Sequence, residues 1–141
     1  MILLDANILF YSYSTASPEY TKAKACVEKL FSGTELVGLP WQTIAAFLRI
    51  STNPRLPGAR PATEAAHEIE NWLMQPNVRI VTPGEDHWAV LRHMMFQGQA
   101  FGPLVSDAQI AALTIENGAV LYSTDRDFAR FPGLRWVNPL S

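Results

Sequence analysis

Ile2-Leu3-Leu4-Asp5-Ala6-Asn7-Ile8-Leu9 opens the chain and decides its fold. Three apolar residues lead to a carboxylate and then to a small polar step. A short unbroken apolar run fits a strand buried on both faces, as in a parallel sheet. Asp5 then stands at the carboxyl end of that strand, where open α/β sheets bind their ligands. The plainer reading makes Asp5 the N-cap of the helix that follows, with Asn7 in its first turn. On this stretch alone the two readings are balanced. Two later segments repeat the design and tip the balance.

Around Asp107 the chain reads Val105-Ser106-Asp107-Ala108-Gln109-Ile110. Ser106 and Gln109 have capping-box spacing, so Asp107 falls at the first helical position, beside free backbone N–H groups. The plainer role for Asp107 is to complement the helix dipole. Further on, the apolar run Ala119-Val120-Leu121-Tyr122 ends in Ser123-Thr124-Asp125-Arg126-Asp127-Phe128. Asp125 and Asp127 thus lie just past the end of another strand.

Between these segments strands and helices alternate. The expected strands are 2–4, 35–39, 78–81, 119–122 and 135–137. Ser17-Pro18-Glu19 reads as a helix start, with Ser17 as N-cap and Pro18 at the first position. Pro40 to Ser51 and Ala62 to Leu73 are helical in pattern, the second with Ala65, Ala66, Ile69, Trp72 and Leu73 inward. Glu85 to Gln97 is a further helix, with Trp88, Leu91 and Met95 on its apolar face. Asn117-Gly118 is a C-cap pattern. Alternation of this kind predicts an α/β fold, a mostly parallel central sheet with helices on both faces. No linker or repeat divides the 141 residues, so one domain, 1–141, is expected.

Composition excludes several classes. Hydrophobic residues make up 48% and charged residues 17%, which fits a packed globule and not a disordered chain. No stretch has the roughly 18 apolar residues of a membrane span, and no leader precedes the first strand. A soluble cytoplasmic protein is the expectation. The single cysteine, Cys26, excludes a disulfide framework and reads as a small buried hydrophobe. His67, His87 and His93 have no metal-ligand spacing and read as satisfied or surface residues. Net charge is −2, so any contact with nucleic acid is local. Arg49, Arg55 and Arg60 cluster around a Pro- and Gly-rich loop. They form either a solvated loop or a basic lip that holds a phosphate backbone.

In a parallel sheet the strand ends that carry Asp5, Asp125 and Asp127 face one edge, and Asp107 heads the helix that feeds the second of them. Carboxylates brought so close repel one another and raise their own pKa values. A hard divalent cation relieves this, and oxygen-only ligands select Mg²⁺ or Mn²⁺ over Zn²⁺. The chemistry that fits is metal-assisted phosphodiester hydrolysis. Asn7, Ser106 and Thr124 would orient the ligands from behind.

These motifs give the chain a family likeness. It resembles the PIN-domain ribonucleases, in particular the VapC-type toxins of prokaryotic toxin–antitoxin pairs. The resemblance rests on Leu4-Asp5-Ala6-Asn7-Ile8-Leu9, on Pro40-Trp41 leading to Phe47-Leu48-Arg49-Ile50 and Thr52-Asn53-Pro54-Arg55, on Asp107-Ala108-Gln109-Ile110-Ala111-Ala112, and on Thr124-Asp125-Arg126-Asp127-Phe128-Ala129-Arg130-Phe131. It implies a PIN-like three-layer sandwich and an Mg²⁺- or Mn²⁺-dependent endoribonuclease, usually a homodimer, held inactive by a small antitoxin protein. It carries the metal positions onto Asp5, Asp107 and Asp125, with Asp127 as an auxiliary acid.

One departure stands out. The family pattern places a glutamate on the helix after the second strand, and that helix, Trp41 to Arg49, contains no acid. The aligned position is Ala46. Glu85 or Asp86 would substitute only if their turn approaches the same crevice. The departure motivates an alternative, a catalytically weakened PIN domain that binds RNA or a partner without cutting. A third reading, an aspartyl-nucleophile phosphohydrolase of the haloacid-dehalogenase kind, fits Asp5 at a strand end. It needs a second aspartate where Asn7 stands.

Overall fold

The computed structural model describes residues 1–141 throughout. Its centre is the opening run. Ile2–Leu4 forms strand β1, and Leu3 and Leu4 are both fully buried. Successive strand side chains point to opposite faces. Leu3 accordingly enters one hydrophobic core and Leu4 the other.

Four more strands flank β1: β2 (Val37–Pro40), β3 (Val78–Val81), β4 (Val120–Tyr122) and β5 (Trp136–Val137). Their order across the sheet is β3-β2-β1-β4-β5, and every neighbouring pair is parallel. Leu3 lies opposite Gly38 on one side and Leu121 on the other. Gly38 is required by close packing, since a Cβ there would stand 2.6 Å from the Val81 side chain and 3.0 Å from Leu3.

Helices cover both faces, as the alternation predicts. On the Leu4 side lie α1 (Ala6–Tyr13), α2 (Tyr20–Phe31), α3 (Trp41–Ser51) and α4 (Ala62–Leu73). Phe47 anchors that core, its ring 5.3 Å from Tyr13 and 4.7 Å from Trp72 in edge-on contacts. On the Leu3 side lie α5 (His87–Gln97), α6 (Leu104–Glu116) and a 3₁₀ turn, Arg126–Arg130.

Several boundaries differ from the sequence pattern. Helix α2 starts at Tyr20, because the Ser17 carbonyl takes the Tyr20 N–H in a turn and Ser17 caps nothing. Helix α6 starts at Leu104, and the Ser106–Gln109 capping box does not form. Pro103 is already helical, and the Phe101 and Gly102 carbonyls accept the Leu104 and Val105 N–H groups. Those donors need no side-chain cap. On α4, Ala66 and Leu73 face outward, and on α5 Met94 replaces the exposed Trp88 on the inner face. Cys26 is half-buried and lines a cavity of about 770 Å³ between α2 and the chain's last residues.

Candidate metal centre

Asp5 takes both roles that its sequence allows. Its N–H donates to Tyr122 O at 3.0 Å, the last rung between β1 and β4. Its backbone then stays extended, and its Oδ1 accepts the Ala6 N–H at 2.8 Å, which caps α1. Oδ2 is held by a different partner, the Ser123 hydroxyl, at 2.6 Å.

Ser123 is the junction of the site. It is fully buried, with its N–H on Val137 O and its carbonyl on the Trp136 indole N–H. Besides donating to Asp5, its Oγ accepts the Asp125 N–H at 3.0 Å and an N–H of the Asn7 amide at 3.4 Å. Asn7 Oδ1 in turn accepts the Thr124 backbone N–H at 3.5 Å. Thr124 thus serves the site through its main chain, and the neighbouring serine does the work expected of its hydroxyl. The signal was legible, since a serine commonly bonds the backbone N–H two residues on. Ser106, expected behind the ligands, is exposed and makes no side-chain hydrogen bond.

Asp125 caps the 3₁₀ turn, its Oδ1 accepting the Asp127 N–H at 2.9 Å. That turn folds Asp127 back toward Asp107 in the first turn of α6. One carboxylate oxygen from each of Asp107, Asp125 and Asp127 lies within 4.8 Å of the others. The auxiliary acid therefore joins the cluster, and Asp5 borders it.

Electrostatics record the crowding. Burial pushes the Asp107 carboxyl up to about 6, and the charges of Asp125, Asp5 and Asp127 push the same way. Arg130 is the cation that opposes them. Asp5 is also raised, first by burial and last by Asp125, against the hydrogen bonds from Ser123 and Ala6. All four acids therefore lie close enough to feel one another at the carboxyl edge of the sheet. Their oxygen-only character suits Mg²⁺ or Mn²⁺.

Glu85 and Asp86 are not available to this cluster. Next to them, the Gly84 N–H donates to Glu116 Oε1 and His87 Nδ1 stands 2.6 Å from Glu116 Oε2. Glu116 ends α6, nine residues beyond Asp107 and so about 13 Å away along the helix. Ala46 lies one turn beyond Thr43, whose buried hydroxyl donates to Leu4 O just before Asp5. His67 and His93 are exposed.

The basic residues lie elsewhere. Arg60 stacks over the Tyr13 ring at 4.3 Å, at the far end of α1 from Asp5. Arg55 is exposed in the following loop's surface, and Arg49 is exposed in the last turn of α3. The structure does not bring the three to the carboxylates.

An all-parallel sheet with an aspartate cluster at its carboxyl edge defines a class of acidic-site α/β proteins, and comparison makes the class specific. The family model described as PIN domain matches residues 2–134. The chain belongs to the PIN-domain family. Among its relatives, Ribonuclease VapC33 of Mycobacterium tuberculosis is 36% identical over 141 residues, with 99% of each chain covered. Ribonuclease VapC48 of the same organism is 39% identical, covering 97% of this chain and 96% of the relative. Among solved structures, VapBC2 of Rickettsia felis, bound to a promoter DNA fragment, matches with a TM-score of 0.73 at 15% identity, over 97% of this chain and 98% of that one. The M. tuberculosis toxin VapC20, described as cleaving the sarcin–ricin loop, matches at 0.68 and 18%, over 96% and 99%.

Proposed function

We propose that residues 1–141 act as one catalytic domain, a divalent-metal-dependent endoribonuclease and the toxin of a toxin–antitoxin pair. The observation that carries this reading is the convergence of Asp107, Asp125 and Asp127 within 4.8 Å, with Asp5 alongside. The ribonuclease names of relatives that match end to end support RNA as the substrate.

In this reading Asp107, Asp125 and Asp127 hold Mg²⁺ or Mn²⁺. Asp5 completes the acidic wall, and Ser123 and Asn7 fix its orientation. A bound ion supplies Lewis acidity, a more acidic water and neutralisation of phosphate charge. The carboxylates repel the phosphate backbone until the cation is present, so metal and RNA bind together. Asp127 is exposed and Asp107 and Asp125 are partly so, which suits a polymer at the surface better than an enclosed small molecule. Arg49 and Arg55 would meet the RNA backbone beyond the cluster.

The same reading assigns a cytoplasmic location and an antitoxin partner. No helix is long and apolar enough to cross a membrane. Trp41, Met74, Trp88, Phe96 and Phe101 stay exposed, apolar surface of the kind that a partner protein or a second copy covers.

The weakened-domain reading has one observation in its favour, Ala46 in place of a glutamate. The inclusion of Asp127 in the cluster counts against it. The test is cleavage of a panel of structured RNAs by purified protein with Mg²⁺, Mn²⁺ or EDTA. Metal-dependent cleavage supports the nuclease. Binding of RNA without metal-dependent cleavage supports the weakened domain.

A further inference from the structure

Two separate chain segments supply the three clustered carboxylates. Asp107 comes with α6 and the loop before it. Asp125 and Asp127 come with the 3₁₀ turn after β4. Like charges push these segments apart, so something must hold them at the spacing that a cation needs.

Arg130 ends the 3₁₀ turn and reaches across to the other segment. Its Nη1 donates to Gly98 O at 3.1 Å and to Gln99 O at 3.3 Å. Those carbonyls close α5 and open the loop that enters α6 at Leu104. The contact is tightly specified. A Cβ at Gly98 would stand 2.7 Å from the Phe131 ring and 2.8 Å from Met94 O, so only glycine lets the segment approach. Gln99 holds a φ of 50°, which side-chain-bearing residues seldom adopt, and it aims its carbonyl at the guanidinium. Arg130 is half-buried, with its Nε shielded from solvent and the two Nη1 bonds as its hydrogen-bond contacts.

We propose that Arg130 is a positioning residue that braces the loop entering α6 against the Asp125–Asp127 turn and so sets the spacing of the metal-binding carboxylates. The proposal rests on the metal-dependent reading above. Arginine suits the role because the planar guanidinium fixes the directions of both Nη1–H bonds, whereas an ammonium is a mobile point charge. Preorganisation of this kind decides whether a site is merely present or correctly spaced.

The brace makes a prediction whose sign opposes simple electrostatics. Removing a positive charge from beside an acidic site tightens cation binding by Coulomb's law alone. Losing a brace weakens it. Mn²⁺ is titrated calorimetrically into wild type, Arg130→Met, Arg130→Lys and Asp125→Asn. The expected result is about 10-fold weaker Mn²⁺ binding in Arg130→Met, the size typical of lost support behind metal ligands. RNA cleavage should then recover as Mn²⁺ is raised to saturation, a shift in metal requirement and not in the maximal rate. Arg130→Lys keeps the charge without the rigid planar group and should also bind more weakly than wild type. It carries the test if Arg130→Met does not fold. Mn²⁺ binding as tight as wild type, or tighter, in the folded variant overturns the proposal. Asp125→Asn separates the two levels. If it binds Mn²⁺ as wild type does, the metal site itself is wrong. If it loses Mn²⁺ while both Arg130 variants keep it, only the brace is wrong.

Discussion

The Ser123 hydroxyl donates a 2.6 Å hydrogen bond to Asp5 Oδ2, joining residues 118 positions apart at the ends of the two central strands. The same oxygen accepts the Asp125 N–H, so one buried atom sets two of the four acids. Ser123→Ala should leave the Asp5 oxygen and the Asp125 N–H without this partner. The expected cost is about 1–3 kcal/mol in urea unfolding, the range for stranding buried polar groups. RNA cleavage should fall roughly 10–100-fold, as for other groups that orient metal ligands. Wild-type cleavage in this variant would contradict the assigned role.

Asp107 gives the site a pH signature. Its carboxyl is raised from 3.8 to about 6. A raised carboxyl binds its proton more tightly in the folded state, so its contribution to stability is full below about pH 4 and is lost as pH rises through 6. EDTA-treated protein should lose stability over that window, and Asp107→Asn should shrink the loss, leaving the part that the raised Asp5 contributes. At pH 7 the Asn variant should therefore melt above wild type in EDTA while failing to cleave RNA, a trade of stability for function. Thermal melts from pH 4 to 7.5 check this. A variant that melts below wild type throughout would contradict it.

Mn²⁺ competes with the same proton. The rise in melting temperature that Mn²⁺ produces should be small at pH 5 and should grow through pH 6 to 7. A Mn²⁺ effect independent of pH would place the ion elsewhere.

The proposed site counts Asp127 among its ligands and takes no acid from position 46. Asp127→Asn should weaken Mn²⁺ binding by about 10-fold or more. Glu85→Gln and Asp86→Asn should bind Mn²⁺ and cleave RNA as wild type does, because their turn sits at the Glu116 end of α6. A larger effect from Glu85 than from Asp127 would reverse the assignment.

Strong periodicity and unbroken apolar runs made much of the fold legible. Val78–Val81 and the start of α4 at Ala62 fall where the pattern puts them. Asp107 and Asp125 come together at the carboxyl edge of the sheet, while Asp5, read from the sequence as a third metal position, borders their cluster with Asp127. What the sequence hid depends on tertiary geometry. The start of α6 moved because Pro103 is already helical and the Phe101 and Gly102 carbonyls take the Leu104 and Val105 N–H groups, which leaves Ser106 inside the helix with no end to cap. Asp127 was expected as an auxiliary acid, and what stayed hidden is the turn that brings it in, curled by the Asp127 N–H bond to Asp125. Arg130 was invisible because its partners, Gly98 and Gln99, lie about thirty positions away and offer only backbone oxygens. The inner face of α5 shifted from Trp88 to Met94, since a helix wholly apolar on two sides does not declare which side has a neighbour.

The central claim is that Asp107, Asp125 and Asp127 form one divalent-cation site, and calorimetric titration of Mn²⁺ tests it without needing the right RNA. Wild type should take up Mn²⁺ at pH 7, and Asp107→Ala should lose that binding while remaining folded. Equal Mn²⁺ uptake by the two proteins would contradict the account.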